Sequence, residues 1–160
     1  MDTISLRGMG VALVTPFDKE KEIDFDALAR VTDHIISGGA DYIVVLGTTG
    51  ETPTLTEEEK QKVRRFVARQ ASGKIPLVLG FGGNCTRALT EGLKHTDFDG
   101  YSAILSVTPY YNKPSQEGLY RHFSEIAACS PLPVILYNVP GRTGINISAV
   151  SYTHLTLPTT

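Results

Sequence analysis

No stretch of this chain approaches the ~18 consecutive apolar residues that a membrane span requires. Residues 1–9 lack the basic segment and apolar core of a secretory leader, so none is expected. Cysteine is scarce. Cys85 and Cys129 stand far apart, at neither metal nor redox spacing, and both are expected as small buried or half-buried groups. The histidines, His34, His95, His122 and His154, are scattered singly with no cysteine or carboxylate at ligand spacing. A solvated or core role outweighs metal ligation for each, and no metal or cofactor is expected. The net charge of −2 gives no electrostatic ground for nucleic acid or an anionic membrane as partner. What remains is ordinary globular composition, 41% hydrophobic and 20% charged over 160 residues, as expected of a soluble cytoplasmic protein.

Five short β-rich runs stand out: Val11–Val14, Tyr42–Leu46, Pro76–Leu79, Ala103–Val107 and Val134–Tyr137, starting 27 to 34 residues apart. They are continuously apolar rather than alternating, which suits strands buried on both faces of a parallel sheet. Helical patterns lie between them. Leu28, Val31 and Ile35 share one face of the first, Val63, Phe66 and Val67 of the second, and Leu119, Phe123, Ile126 and Ala127 of the fourth. The third, around Arg87–His95, is weak because Gly92 interrupts it. Thr56-Glu57-Glu58-Glu59 reads as a capping box, Ser115 as the cap of the fourth helix, and Gly38-Gly39 as the end of the first. Strand and helix repeating at this spacing mean successive right-handed βαβ units, in an eight-fold barrel or an open doubly wound sheet. Both architectures place their chemistry at the carboxyl ends of the strands.

Those ends are rich in Gly, Thr, Tyr and Asn. The second strand leads into Gly47-Thr48-Thr49-Gly50-Glu51, the fourth into Thr108-Pro109-Tyr110-Tyr111-Asn112, and the fifth into Tyr137-Asn138-Val139-Pro140-Gly141-Arg142-Thr143-Gly144. Two readings stand for the first: a turn whose hydroxyls and amides hold a small carboxylate, or a plain strand-to-helix turn with hydroxyls as local caps. The Walker lysine and the full dinucleotide fingerprint are both missing, which disfavours a phosphate cradle. Tyr110 and Tyr111 include at least one packing aromatic. Tyr137 ends an apolar strand, needs a hydrogen-bond partner if buried, and is suited to relaying protons, with Thr48 as a neighbour from another strand. Arg142 has no carboxylate close in sequence, so it is either a receptor for a substrate acid group or a solvated surface cation.

Gly47–Glu51, Val107–Pro114 and Leu136–Gly144, in this order and spacing, resemble the dihydrodipicolinate synthase family of pyruvate-dependent, Schiff-base class I aldolases. The resemblance runs from about Gly8 to Val150. It implies a TIM (β/α)8 barrel, a homotetramer assembled as a dimer of dimers, and condensation of pyruvate with aspartate semialdehyde in lysine and diaminopimelate biosynthesis. By resemblance Tyr137 is the proton donor and acceptor, Thr48 its relay partner, and Tyr111 completes the relay in a neighbouring subunit. Thr49 would bind the pyruvate carboxylate and Arg142 that of the semialdehyde. Sialic-acid lyases and keto-deoxy-sugar aldolases share the barrel and a similar glycine–threonine turn, but their polyol aldehydes do not demand a guanidinium at Arg142. A non-catalytic α/β domain that binds a small acid is a further alternative. Asn84 and Tyr110 match parts of the family's lysine-inhibition pocket. Ala88 stands where inhibited members carry glutamate, so lysine feedback is not expected.

A Schiff-base aldolase needs a desolvated, partly neutral lysine. The seven lysines, Lys19, Lys21, Lys60, Lys62, Lys74, Lys94 and Lys113, all fall in polar helical or loop contexts, and none ends an apolar strand. The family's nucleophile sits on the sixth barrel strand, beyond this chain. About five of eight βα units are expected, as the amino-terminal fragment of a barrel of ~250 residues, inactive alone and with sheet edges open to aggregation. Residues 1–150 make up this portion. Residues 151–160 show no helical period and read as a non-family tail, either disordered or the product of a junction or frameshift.

Overall fold

The computed structural model describes residues 6–156. Five strands, β1 (Gly10–Ala12), β2 (Tyr42–Val45), β3 (Leu77–Gly80), β4 (Ala103–Val107) and β5 (Val134–Tyr137), form one sheet in sequence order. Pairing of β1 with β2 and of β2 with β3 is parallel, in the registers Val11 to Ile43 and Val44 to Val78. Helices α1 (Phe25–Ser37), α2 (Glu57–Ala71), α3 (Thr86–His95) and α4 (Gln116–Cys129) follow the first four strands, and α5 (Pro140–Thr143) and α6 (Ala149–Thr156) follow β5. The chain divides into two compact units. One comprises the stretch up to Gly80 with Phe98–Ile104; the other comprises Phe81–Asp97 with the stretch from Leu105 onward.

In the first unit the strand runs supply the core. Ile43, Val45, Leu77, Val78 and Leu79 are fully or almost fully buried, together with Leu28 of α1 and Val63 and Val67 of α2. Continuous apolar runs pack in this way because helices cover the sheet where it faces them. Helix α1 ends at Gly38, as Gly38-Gly39 leads one to expect. The Asp24 carboxylate accepts from the Ala27 amide at the start of α1. The Thr56 hydroxyl accepts from the Glu59 amide while the Thr56 amide donates to Oε2 of Glu59 at 2.7 Å, closing the capping box. The Thr56 hydroxyl, which also donates to Oε2 at 2.7 Å, and then the Thr56 amide hold the Glu59 carboxyl below its usual range. Tyr101 donates its buried hydroxyl to the Arg64 carbonyl at 3.0 Å, and burial pushes its phenol upward.

In the second unit Leu119, Phe123 and Ile126 of α4 are buried along the stripe their spacing predicts, and the Ser115 hydroxyl caps the helix at the Gly118 amide. Helix α3 forms despite Gly92, and the structure gives a reason for the glycine. A Cβ there would lie 3.0 Å from the tip of the Phe81 ring, so the missing side chain makes room for an aromatic.

Three expectations fail. Cys85 and Cys129 are both exposed, because one stands at the amino-terminal boundary of α3 and the other is the last residue of α4. Tyr110 and Tyr111 are also exposed rather than packed. Over 151–156 the sequence suggests no helix, yet α6 forms. The Ser148 hydroxyl accepts from the Ser151 amide and the Ser148 carbonyl from the Tyr152 amide, so a local cap starts a turn that carries no apolar stripe. The remainder of that tail, 157–160, lies outside the described residues.

Candidate active site

In the first unit, β2 does not run straight into its turn. Leu46 is buried with φ +56, a left-handed conformation that side chains adopt rarely. Its carbonyl points where a Cβ on Gly80 would stand, at 2.0 Å, so this exit requires glycine at the end of β3. Beyond it Thr48–Gly50 winds into one 3-10 turn, closed by the Gly50 amide on the Gly47 carbonyl, and Glu51 again takes positive φ. Two hydroxyls lock the turn from outside. Buried Thr15 donates to the Gly50 carbonyl at 2.8 Å, and Thr52 donates to that of Gly47 at 3.0 Å. Thr48 and Thr49 take no part in this locking. Both are exposed, and neither caps the turn. The side-chain bonds to this segment come from Thr15, Thr52 and Thr54, the last donating to the Glu51 carbonyl at 2.8 Å.

The remaining candidates lie in the second unit. Tyr137 is half-buried, and its carbonyl accepts from the Thr108 amide at 3.2 Å, which sets the end of β5 beside the exit of β4. That exit turns sharply. The Asn112 amide donates to the Tyr110 carbonyl across Tyr111, whose φ is +70, forming a γ-turn of the strained positive-φ kind. Asn84 and Asn112 hold the turn by a reciprocal pair of bonds: Nδ2 of Asn84 to Oδ1 of Asn112 at 3.3 Å, and Nδ2 of Asn112 to the Asn84 carbonyl at 3.0 Å. The result projects the Tyr111 ring outward, 90% exposed. Nothing in the sequence pattern marked this geometry, because a γ-turn is a local strain that residue type does not announce.

After Tyr137 the chain makes a short excursion. Val139 leads into α5, the buried Thr143 hydroxyl bonds back to the Val139 and Ile145 carbonyls, and Gly144 takes φ +69. Arg142 rides this excursion with its side chain exposed, and it forms no ion pair among the described residues. Six of the seven lysines are exposed and Lys60 is half-buried. Lys60, Lys62 and Lys94 pair with Glu57, Glu58 and Glu91, and those last two glutamates hold the Lys62 and Lys94 ammonium groups above their usual range. Among the described residues no group of three or more potential metal ligands gathers, and no helix is long and apolar enough to cross a membrane.

A sheet whose strands lie in sequence order and alternate with helices fits the β/α-barrel class. The Dihydrodipicolinate synthetase family profile matches residues 5–159, and the chain belongs to that family. Over 149 residues it is 57% identical to a 4-hydroxy-tetrahydrodipicolinate synthase of Parabacteroides distasonis, covering 93% of this chain and 50% of that protein. A dihydrodipicolinate synthase of Bacillus anthracis superposes with a TM-score of 0.91 at 44% identity, over 96% of this chain and 52% of the other. The chloride-inhibited enzyme of Acinetobacter baumannii, solved in complex with pyruvate, gives 0.92 at 43% identity, over 98% and 54%. The chain spans about half the length of the curated relatives it matches. Its five-stranded sheet is thus a partial barrel of a lyase family.

Proposed function

We propose that this chain carries the substrate-carboxylate and proton-handling part of a 4-hydroxy-tetrahydrodipicolinate synthase, which condenses pyruvate with aspartate semialdehyde through a lysine Schiff base. The observation that carries the reading is Arg142: an exposed guanidinium with no ion pair among the described residues, on a folded excursion that begins at the end of β5. A carboxylate is the partner that its planar fork fits. In this reading Thr49 takes the pyruvate carboxylate, and Thr48 and Tyr137 pass a proton to and from the reacting carbon skeleton. Tyr111 completes the relay across a subunit boundary. The 90% exposure of a strained tyrosine supports that last assignment, since such a ring is presented to something outside its own fold. A dimer of dimers follows from the same reading. The Asn84 side chain is engaged with Asn112, and Ala88 offers no carboxylate, both of which favour an enzyme without lysine feedback. Residues 1–150 form the family portion in this reading.

The exposure of six lysines and the pairing of half-buried Lys60 with Glu57 support the view that the nucleophile is not among them. A Schiff-base nucleophile needs a desolvated amine, which neither water nor a glutamate partner provides. Borohydride reduction of the 160-residue chain with pyruvate, read by intact mass, is expected to leave the mass unchanged; a stable adduct on one lysine would overturn this assignment. In a form of the protein that carries the family's lysine, Arg142→Ala is expected to raise KM for aspartate semialdehyde by at least about tenfold. KM for pyruvate should stay near that of the parent. Equal effects on both substrates, or faster turnover with a sugar aldehyde, would favour the related aldolases instead.

A further inference from the structure

We propose that Asn138, supported by Gln116, is a positioning residue that fixes the Arg142 excursion in place so that the guanidinium meets a small carboxylate already oriented. The proposal rests on the reading of Arg142 as an acid-binding group. Asn138 directly follows Tyr137 and closes the base of the excursion with both ends of its amide. Its Nδ2 donates to Oδ1 of Asn146 at 2.6 Å, and its Oδ1 accepts from the Ile147 amide at 3.2 Å. The residues between, 139–145, are thereby held as one closed loop. Gln116, the first residue of α4, grips the same closure from a different element. Its Nε2 donates to the Asn146 carbonyl at 2.8 Å, while its Oε1 accepts from the Ser148 amide and the Ser151 hydroxyl, each at 2.9 Å. On the other flank the Lys113 side chain lies over Gly144, its Cε 3.2 Å from where a Cβ would stand.

Two side-chain amides thus each engage both their oxygen and their nitrogen in one loop closure. They do so beside a loop whose exposed arginine makes no ion pair of its own among the described residues. Stability alone is a poor reason for such an arrangement, because exposed side-chain bonds contribute little. Order is a better one: a receptor loop fixed in advance leaves the ligand no ordering entropy to overcome. Asn138 anchors the far end of the loop directly beside Tyr137 in the chain.

The test is an NMR titration of the chain with succinate, a stable dicarboxylate probe, comparing the parent with Asn138→Ala, Gln116→Ala, Arg142→Ala and the double variant Asn138→Ala/Arg142→Ala. Asn138→Ala is expected to weaken succinate about tenfold, and Gln116→Ala less. In the Arg142→Ala background the Asn138 change should cost nothing more, because its effect runs through the arginine. Faster amide exchange at Ile147 and Ser148 should accompany both single changes. Unaltered affinity in Asn138→Ala, or losses that simply add in the double variant, would overturn the positioning role while leaving Arg142 as a receptor. Succinate binding that ignores Arg142→Ala, or no binding by the parent, would remove the receptor reading itself and this proposal with it. If Asn138→Ala does not fold, Asn146→Ala removes the same side-chain bond from the other end and carries the same expectations.

Discussion

Gly80→Ala is expected to destabilise the protein by roughly 3 kcal/mol, lowering the thermal midpoint by roughly 10 °C. The reason lies in backbone atoms rather than side chains. A Cβ on Gly80 would stand 2.0 Å from the Leu46 carbonyl oxygen, 2.5 Å from its carbon and 2.9 Å from the Gly47 nitrogen. None of these can rotate away. Leu46 is already left-handed with a buried side chain, and Gly47 opens the turn that carries Thr48 and Thr49. Relief therefore requires moving the exit of β2, which disturbs the core through Leu46 and shifts the two threonine hydroxyls at once. Gly141→Ala is the matching control. Nothing lies within 4 Å of a Cβ there, and the change should stay within about 0.5 kcal/mol. Urea unfolding of both variants checks the pair, and a Gly80→Ala protein as stable as its parent would refute the close approach.

This glycine also shows where sequence reading stops. The five strands were legible because parallel strands covered by helices must be apolar throughout, and β4 and β5 fall on the expected residues. The Thr56 box and the Ser115 cap were legible because capping is chemistry between residues three apart. Gly80 contributes through a contact with Leu46, 34 positions earlier, which no local pattern encodes. Gly92 misled in the opposite sense: helix propensity counted against α3, while packing against Phe81 explains the residue.

The candidate site divides in the same way. Thr48, Thr49, Tyr137 and Arg142 could be named in advance because hydroxyl, phenol and guanidinium at strand exits are residue types with recognisable chemistry. What holds them could not. Thr15 reaches Gly50 across 35 positions, Asn84 reaches Asn112 across 28, and Gln116 reaches Asn146 across 30. Each of these side chains is ordinary in isolation and acquires its role from the partner that topology brings to it. The cysteines failed for a related reason. Burial statistics describe the residue type, whereas exposure here is set by their places at a helix start and a helix end.

His122 is another residue whose environment outweighs its type, and it leads to the second large prediction. It lies on α4, only 3% exposed, with Nδ1 2.8 Å from the Thr86 hydroxyl and Nε2 buried without a hydrogen-bond partner. With Nδ1 carrying the proton and donating to Thr86, Nε2 is left as a bare acceptor, which is less costly than an unpaired donor. An imidazolium would require a partner at both nitrogens. Burial accordingly lowers the His122 pKa to about 4, with no charged neighbour contributing. Unfolding returns the ring to water and an ordinary pKa near 6.5, so between those values the unfolded chain binds the proton and the folded chain does not. Stability is full above about pH 6.5 and falls as pH drops toward 4, by about 3 kcal/mol across the window. Glu59 and Glu91, whose carboxyls are held below 4.5, release their contributions only at the acid end of that range. A His122→Gln variant keeps an amide to meet Thr86 and loses the titration. Urea midpoints from pH 7.5 to 4.5 should fall steeply for the parent and remain nearly level for the variant, and two parallel curves would mean that another group carries the acid sensitivity.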